Sequence, residues 1–416
     1  MFVMGVFMPK IFLPNLEENH IENAPAEVFL NDIEKYFWQL DDDDVIVSSV
    51  AFNEIQLNYI KKIKKLTTGF KCILLQRKSN PYYLVDSIIQ DTKTLAVLQA
   101  LCKNGNYYLE PYTQSKKVVQ LAEALKTSFN QTNFDSINKG LIDQINSKSW
   151  FKNYCIKYKV PTPRGYHLRN TDKLKRYLKL INYKENKKVI LKQSLSGGGY
   201  GNIAGTAEEL LALAKGDSTG NPHVIEHYLN FNHVCGTLAK LNEFGTEFIG
   251  VDTHISERES WQGLTYPIAD QETKALLKKH TLTLANAFHN MGARGLFNID
   301  FGIQKLKDQT KAFALEANFR HNGFSLILNF AKPGRFLHYY KNYNTSAQNF
   351  AQALSKLKKL HFATDKPLLA SDIDAPCGII LVDCAQNSGK CGIVTFGQNP
   401  ASINQMLNII QGQFVI

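Results

Sequence analysis

Two short segments around residue 300 constrain this chain more than any bulk property does. In LFNIDFGI (296–303), Phe297, Ile299, Phe301 and Ile303 alternate with Asn298, Asp300 and Gly302. In AFALEANFR (312–320), Phe313, Leu315, Ala317 and Phe319 form the apolar set, and Glu316, Asn318 and Arg320 the polar one. Side chains of a strand point alternately to its two faces, so each segment predicts a strand with one greasy side. The connection, roughly 305–311, is short enough to make them antiparallel neighbours. The other face then gathers two carboxylates, an amide and a guanidinium. Mg²⁺ takes oxygen ligands, usually one or two carboxylates together with substrate phosphates, so Asp300, Glu316 and Asn318 are candidate metal ligands. Arg320 suits bidentate contact with a phosphate or carboxylate. The competing reading is the solvated outer face of an amphipathic hairpin, and the hairpin alone does not decide between the two.

A second segment, VILKQSLSGGGYGNIAG (189–205), runs a strand containing Lys192 into Ser196, Gly197, Gly198, Gly199 and Gly201. Such a loop lets backbone N–H groups approach phosphate oxygens, and Lys192 would add a point charge. A plain flexible turn is the alternative. The spacing is not that of a P-loop, since no GKS or GKT follows, and it lacks a clean G-x-G-x-x-G. A third segment, HVIEHYLNFNH (223–233), is an apolar strand with Glu226 near its end. By itself it is an ordinary strand.

Around these pieces the pattern is mixed. Strands are expected at 45–52, 71–77 and 107–112, with helical periodicity at 54–66 and 92–103. Strands alternating with helices suggest a parallel sheet. The pattern breaks near 135–147, at Gly140. A helix follows at 145–158, ended by Pro161 to Gly165, and others at 171–181, 206–215 and 271–291. From 366 the tail shows strands at 378–384 and 391–397 and a helix at 400–411, a small α/β unit.

The 416 residues carry a net charge of +11. The basic residues are spread along the whole chain, and Lys61, Lys62, Lys64 and Lys65 suit one solvated helix face, so no nucleic-acid partner is expected. A bilayer span needs about 20 apolar residues and none is found, so no membrane partner is expected either. The first residues, MFVMGVFMPKIFLP, suit a strand better than a signal peptide. Seven cysteines without a CxxC pair suit reduced thiols and a cytoplasmic setting.

Taken in order, the three segments resemble the ATP-grasp superfamily over about residues 140–340, and the N-terminal part resembles its usual preceding α/β domain. The resemblance rests on Lys148 before V-P-T-P-R-G, Lys192 before the glycine-rich flap, the E-x-Y-L strand, Asp300, and E-x-N-x-R at Glu316, Asn318 and Arg320. It implies α/β and α+β architecture: a Rossmann-like pre-ATP-grasp domain at 1–140, one ATP-grasp lobe with its flap at 141–222, a second lobe with the metal site at 223–345, and a C-terminal α/β unit at 346–416. ATP and Mg²⁺ (or Mn²⁺) are the implied cofactors. Lys148, Lys192, Ser196, Gly197, Gly198, Gly199, Gly201, Glu226, His227, Tyr228 and Leu229 would hold the nucleotide. Asp300, Glu316 and Asn318 would hold the metal.

The implied activity is ligation: a carboxylate is activated as an acyl phosphate and joined to an amine, with release of ADP and phosphate. Arg320, assisted by Arg294 from the turn M-G-A-R-G, would be catalytic. The N-x-R-plus-glycine wording, YYLEPYTQSKKVVQLAEAL and INSKS are similar to the group that includes the peptide ligase of pheganomycin biosynthesis, which points to amino acids or peptides as substrates. Two departures stand out: Asn232 and His233 occupy the stretch where an acidic ribose contact is usual, and HNGFSLIL follows Arg320 in place of a Gly-Gly-Thr-Thr-like run. Another acceptor chemistry (carboxylation, thioester formation or phosphorylation) and a non-catalytic nucleotide binder are the alternatives. Small-molecule carboxylate and amine substrates, and a homodimer, complete the expectation.

Overall fold

The computed structural model describes residues 8–19, 33–49, 51–75, 83–105, 107–127, 132–168, 174–180, 188–195, 202–214, 223–257, 260–307 and 309–416. The N-terminal segment forms four parallel strands, β1 (Lys10–Leu13), β2 (Val45–Ser48), β3 (Lys71–Leu74) and β4 (Tyr108–Pro111), in the order β3-β2-β1-β4. The periodic segments are helices Glu54–Lys64 and Thr92–Gly105. Asn53 accepts from the first free N–H groups of the former, and Lys65 in the left-handed region ends it. The strand order reverses between β1 and β4, where open α/β sheets leave a crevice. Asn15 bridges that point: its side chain donates to the Thr113 carbonyl at 2.9 Å and accepts from the Thr113 N–H at 3.2 Å.

Three helices follow, Phe134–Asn138, Leu141–Asn146 and Lys148–Lys157. The helix expected over 145–158 is thus split. Ser147 sits in an extended conformation (φ −74°, ψ 117°), closing one helix and opening the next. The break puts Lys148 in a first turn. An antiparallel sheet comes next: β5 (Gly165–Leu168), β6 (Val189–Gln193), β7 (Ile203–Gly205) and β8 (His223–His227), ordered β5-β8-β6-β7. Leu168, Leu174, Leu178, Leu191, Leu210 and Ile225 form its own small core.

The chain then runs through β9 (His233–Asn242), β10 (Gly245–Val251), β11 (Thr253–Glu257), β12 (Ser260–Tyr266), the helix Gln271–Asn290, β13 (Gly295–Leu306) and β14 (Gln309–Asn318). Strands β10-β9-β13-β14 make one antiparallel sheet. Its greasy face packs Phe297, Ile299, Phe301 and Ile303 against Leu277, Leu284 and Phe288 of the long helix. On β14 the expected apolar face is corrected. The buried apolar residues are Ala312, Ala314 and Ala317, with Phe319 just beyond the strand, whereas Phe313 and Leu315 are only half-buried. The register shifts between Asp300 and Phe301, so Glu316 opposes Asp300 while Ala314 opposes Phe301, leaving Leu315 as the extra residue of a bulge. A bulge flips every side chain beyond it to the other face. Phe313 there meets Phe231, with ring centroids 6.2 Å apart, and Phe231 covers the side of Gly302 where a Cβ would come within 2.5 Å of the ring.

The last sheet is assembled from distant segments. Strands β15 (Phe336–Asn344), β16 (Gly378–Ala385) and β17 (Lys390–Gly397) join β11 and β12 in the order β11-β12-β15-β17-β16. The tail's strands therefore share one antiparallel sheet with residues 253–266. They also share a core with the N-terminal segment: Trp38 donates its indole N–H to the Val382 carbonyl at 2.9 Å, and Phe12, Trp38 and Phe330 lie in the same cluster as Ile380 and Val394. Among the described residues no helix is long and apolar enough to cross a membrane.

Candidate active site

The polar face of the β13–β14 pair is the centre of the site. Asp300 and Glu316 are direct cross-strand partners, as are Asn298 and Asn318. Lys148, brought in by the first turn of its helix, sits with its ammonium 2.9 Å from Glu316 Oε2, and its side chain is 4% exposed. Arg320 Nη2 donates to Asn318 Oδ1 at 2.6 Å, and Nη1 donates to the Tyr112 hydroxyl at 3.0 Å. Residue 320 also forms an isolated antiparallel bridge with Thr113, so the parallel N-terminal sheet abuts the metal-candidate strands. Next to Arg320, His321 Nε2 is 2.9 Å from Glu110 Oε1 on β4.

The two facing carboxylates do not titrate alike. Burial and then the charge of Glu316 push the Asp300 carboxyl well above the usual range. Burial also works to raise Glu316, but Lys148, then Lys192 and Arg320, hold it down at about 2. Burial and like charge thus disfavour the ionised form of Asp300, whereas Lys148 favours the ionised form of Glu316. His254, on β11, lies with Nε2 3.7 Å from Asp300 and 3.4 Å from Asp252. Burial pushes the Asp252 carboxyl up to about 7, with His254 and the Gly236 N–H acting the other way.

Among the described residues no group of three or more His, Cys, Asp or Glu could hold a metal ion. Two carboxylates, an amide and ligand oxygens are nevertheless the donor set that Mg²⁺ takes. The two facing carboxylates, each opposing the other's ionisation, fit a cation between them. Asn318 presents its amide nitrogen toward Asp300 at 3.5 Å, so its oxygen would have to turn over, releasing Arg320, to reach the same ion.

A second buried group lies on the antiparallel sheet. Glu226, 3% exposed, accepts from Lys152 at 2.7 Å through Oε1 and lies 2.8 Å from Lys192 through Oε2. Burial would raise this carboxyl, but Lys192 and then Lys152 keep it below the usual range. Glu226 is therefore a counter-ion for two lysines. Its neighbours are placed by the strand: His227 N–H donates to Arg164 O at 2.9 Å, Tyr228 N–H donates to Lys188 O at 3.2 Å, and Leu229 is half-buried. Asn232 is occupied in a turn, its Oδ1 accepting from Lys305 N–H at 2.6 Å.

The structure thus brings together Lys148, Asp300, Glu316, Asn318 and Arg320, and separately Lys192 and Glu226; the influence of the Lys192 charge on Glu316 links the two groups. Ser196, Gly197, Gly198, Gly199 and Gly201 lie outside the described residues. Arg294 is not brought to this group. Its guanidinium donates to the carbonyls of His289 and Ala293, both at 2.8 Å, capping the end of the long helix. It precedes β13, six residues and so about 20 Å of strand from Asp300. Sequence reasoning missed Lys152, although its spacing of four from Lys148 puts both on one helix face. It also missed Tyr112, Glu110 and His254, for which no local signal exists.

No family model and no curated protein matches the sequence. Solved structures do match in fold. The biotin carboxylase domain of the 2-oxoglutarate carboxylase of Hydrogenobacter thermophilus, a dimer with MgADP, ADP and bicarbonate, superposes with a TM-score of 0.61 at 13% identity, over 99% of this chain and 91% of that one. The N5-carboxyaminoimidazole ribonucleotide synthetase of Thermus thermophilus gives 0.58 at 12% identity, covering 98% of each chain. A biotin carboxylase of Campylobacter jejuni with an ATP analogue gives 0.57 at 14%, over 98% of this chain and 92% of that one. These neighbours are ATP-grasp enzymes, and the likeness, running over nearly the whole of both chains, shows that this chain has the ATP-grasp fold.

Proposed function

We propose that the protein is an ATP-dependent ligase that activates a carboxylate as an acyl phosphate and couples it to an amine, releasing ADP and phosphate. The observation that carries this reading is the charge balance of the site. Lys148, Lys152, Lys192 and Arg320 face Glu226, Glu316 and an Asp300 that favours its proton. The buried surplus is positive, which suits a polyanion such as a nucleotide triphosphate. The neighbours holding ADP, MgADP or an ATP analogue support it.

In this reading Lys148 and Lys192 hold phosphate oxygens, and Asp300, Glu316 and Asn318 would hold Mg²⁺, which neutralises phosphate charge when bound. A substrate carboxylate oxygen attacks the γ-phosphorus and ADP leaves. The amine nitrogen then attacks the acyl carbon, phosphate leaves, and one proton passes to solvent. Arg320, which keeps its contact with Tyr112 when Asn318 turns to the ion, would face the oxyanion of that second step. No side-chain nucleophile is required; the work is positioning and electrostatics. The substrates are of the amino-acid or peptide type. A second reading takes bicarbonate as the carboxylate, as the bicarbonate-bound neighbour favours.

The test is a product analysis. Purified protein with MgATP and a pool of amino acids and dipeptides, with and without bicarbonate, is followed by mass spectrometry beside Glu316→Ala. ADP together with a mass equal to two pool members less water supports ligation. A gain of one CO₂ selects the second reading. AMP and pyrophosphate, or ADP formed equally by Glu316→Ala, would overturn the acyl-phosphate scheme.

A further inference from the structure

The Lys152–Glu226–Lys192 group is more heavily charged than a structural ion pair needs to be. All three residues are at least 93% buried: Lys152 is 6% exposed, Lys192 7% and Glu226 3%. One carboxylate serves two ammonium groups, one on each oxygen. The two lysines are not equivalent. Lys152 is fixed from three sides: besides Glu226 it donates to the Pro163 carbonyl and lies 3.5 Å from the Thr162 hydroxyl. Those partners belong to the turn that enters β5, and β5 pairs directly with β8, with Gly165 opposite Glu226. Lys192, in contrast, stands on β6 five residues before Gly197, and its charge already reaches Glu316.

We infer that Lys152 is a positioning residue that keeps Glu226 neutralised, so that Lys192 can move from Glu226 to a nucleotide phosphate. This rests on the nucleotide-binding reading above. A buried carboxylate stripped of its last cation is strongly unfavourable, and that penalty opposes any step that removes Lys192 from Glu226. With Lys152 in place the step exchanges one anion for another around Lys192 and leaves Glu226 paired. Without Lys152, Lys192 is the sole counter-ion of a buried charge, and phosphate must compete with Glu226 for it. The wider site follows the same logic, since Lys148 is likewise shared between a strand carboxylate and the place proposed for phosphate.

The experiment measures MgATP and MgADP affinity by calorimetry for the wild-type chain, Lys152→Met, Glu226→Gln and the double variant Lys152→Met/Glu226→Gln, with thermal melts of each. Lys152→Met should weaken nucleotide binding by roughly 10- to 100-fold. The double variant should regain most of that loss, because glutamine needs no counter-ion and frees Lys192. A purely structural role for Lys152 predicts no such recovery. If Lys152→Met binds as the wild type does, or the double variant binds no better than Lys152→Met while both melt cooperatively, the inference fails. Should Lys152→Met not fold, Glu226→Gln alone decides: tighter or equal binding supports the release of Lys192, and a large loss refutes it. If the wild-type chain binds neither nucleotide, the functional reading itself fails, which is a different outcome.

Discussion

Replacing Asp300 by asparagine should make the protein more stable and much less active. The shape is kept, and so is an oxygen for the 3.5 Å contact from Asn318. What is lost is a charge opposite Glu316. Opposed residues of an antiparallel pair have Cβ atoms about 5 Å apart. Two unit charges at that separation repel by about 3 kcal/mol at an effective dielectric near 20. Arg320 and Lys148 attract Asp300 and offset part of this, leaving a net gain of about 1–2 kcal/mol at neutral pH. For a chain of this size that is roughly 1–2 °C in melting temperature. The sign with pH is fixed by the direction of the shift. The folded-state pKa of Asp300 lies above its ordinary value, so the folded chain binds that proton more tightly than the unfolded one. The penalty is present above the folded pKa and vanishes below the unfolded one. The advantage of Asp300→Asn should therefore grow as the pH rises above about 4 and disappear below it. Turnover should fall by roughly 100-fold or more. Differential scanning calorimetry across that range, beside an ADP-release assay, provides the check. A variant less stable than the parent at neutral pH would refute the electrostatic reasoning, and so would a stability difference independent of pH.

Two further expectations concern neighbouring residues. Arg320→Lys keeps the charge but cannot reproduce the paired contacts to Asn318 and Tyr112, so kcat should fall roughly 100-fold with little change in ATP KM; steady-state kinetics giving a pure KM effect would remove Arg320 from the chemical step. Gly165→Ala places a Cβ 2.1 Å from the Ile225 carbonyl oxygen and 2.8 Å from Glu226 Cα; the strand pair must part, costing about 1–3 kcal/mol, and an unchanged melting temperature would contradict that packing.

Much of the site is legible in the sequence because its parts are local. Alternation along 296–303 marks the buried side of β13, and the every-second-residue spacing of Glu316, Asn318 and Arg320 places them on one side of a strand. The alternation misleads at Phe313 and Leu315, because a bulge carries no compositional mark and large apolar residues look like core wherever they stand. Arg294 is close in sequence yet remote in space, for a strand advances about 3.3 Å per residue. Tyr112 and Glu110 meet Arg320 and His321 across more than 200 positions, a proximity that depends on how the N-terminal sheet docks. The crowding at Gly165 is likewise a property of two strands and not of either one.

The indole of Trp38 and the carbonyl of Val382 are 344 residues apart along the chain. During synthesis the first segment therefore leaves the ribosome long before its packing partner exists. Phe37, Trp38 and Tyr59 are buried in a cluster that includes Ile380 and Leu381, so the nascent chain displays them until those later residues have been made. Contacts of such sequence separation form slowly, and exposed aromatic surface invites association in the interval. A core that unites segments 344 residues apart makes the newborn chain dependent on whatever shields the earlier segment while the later one is still being made.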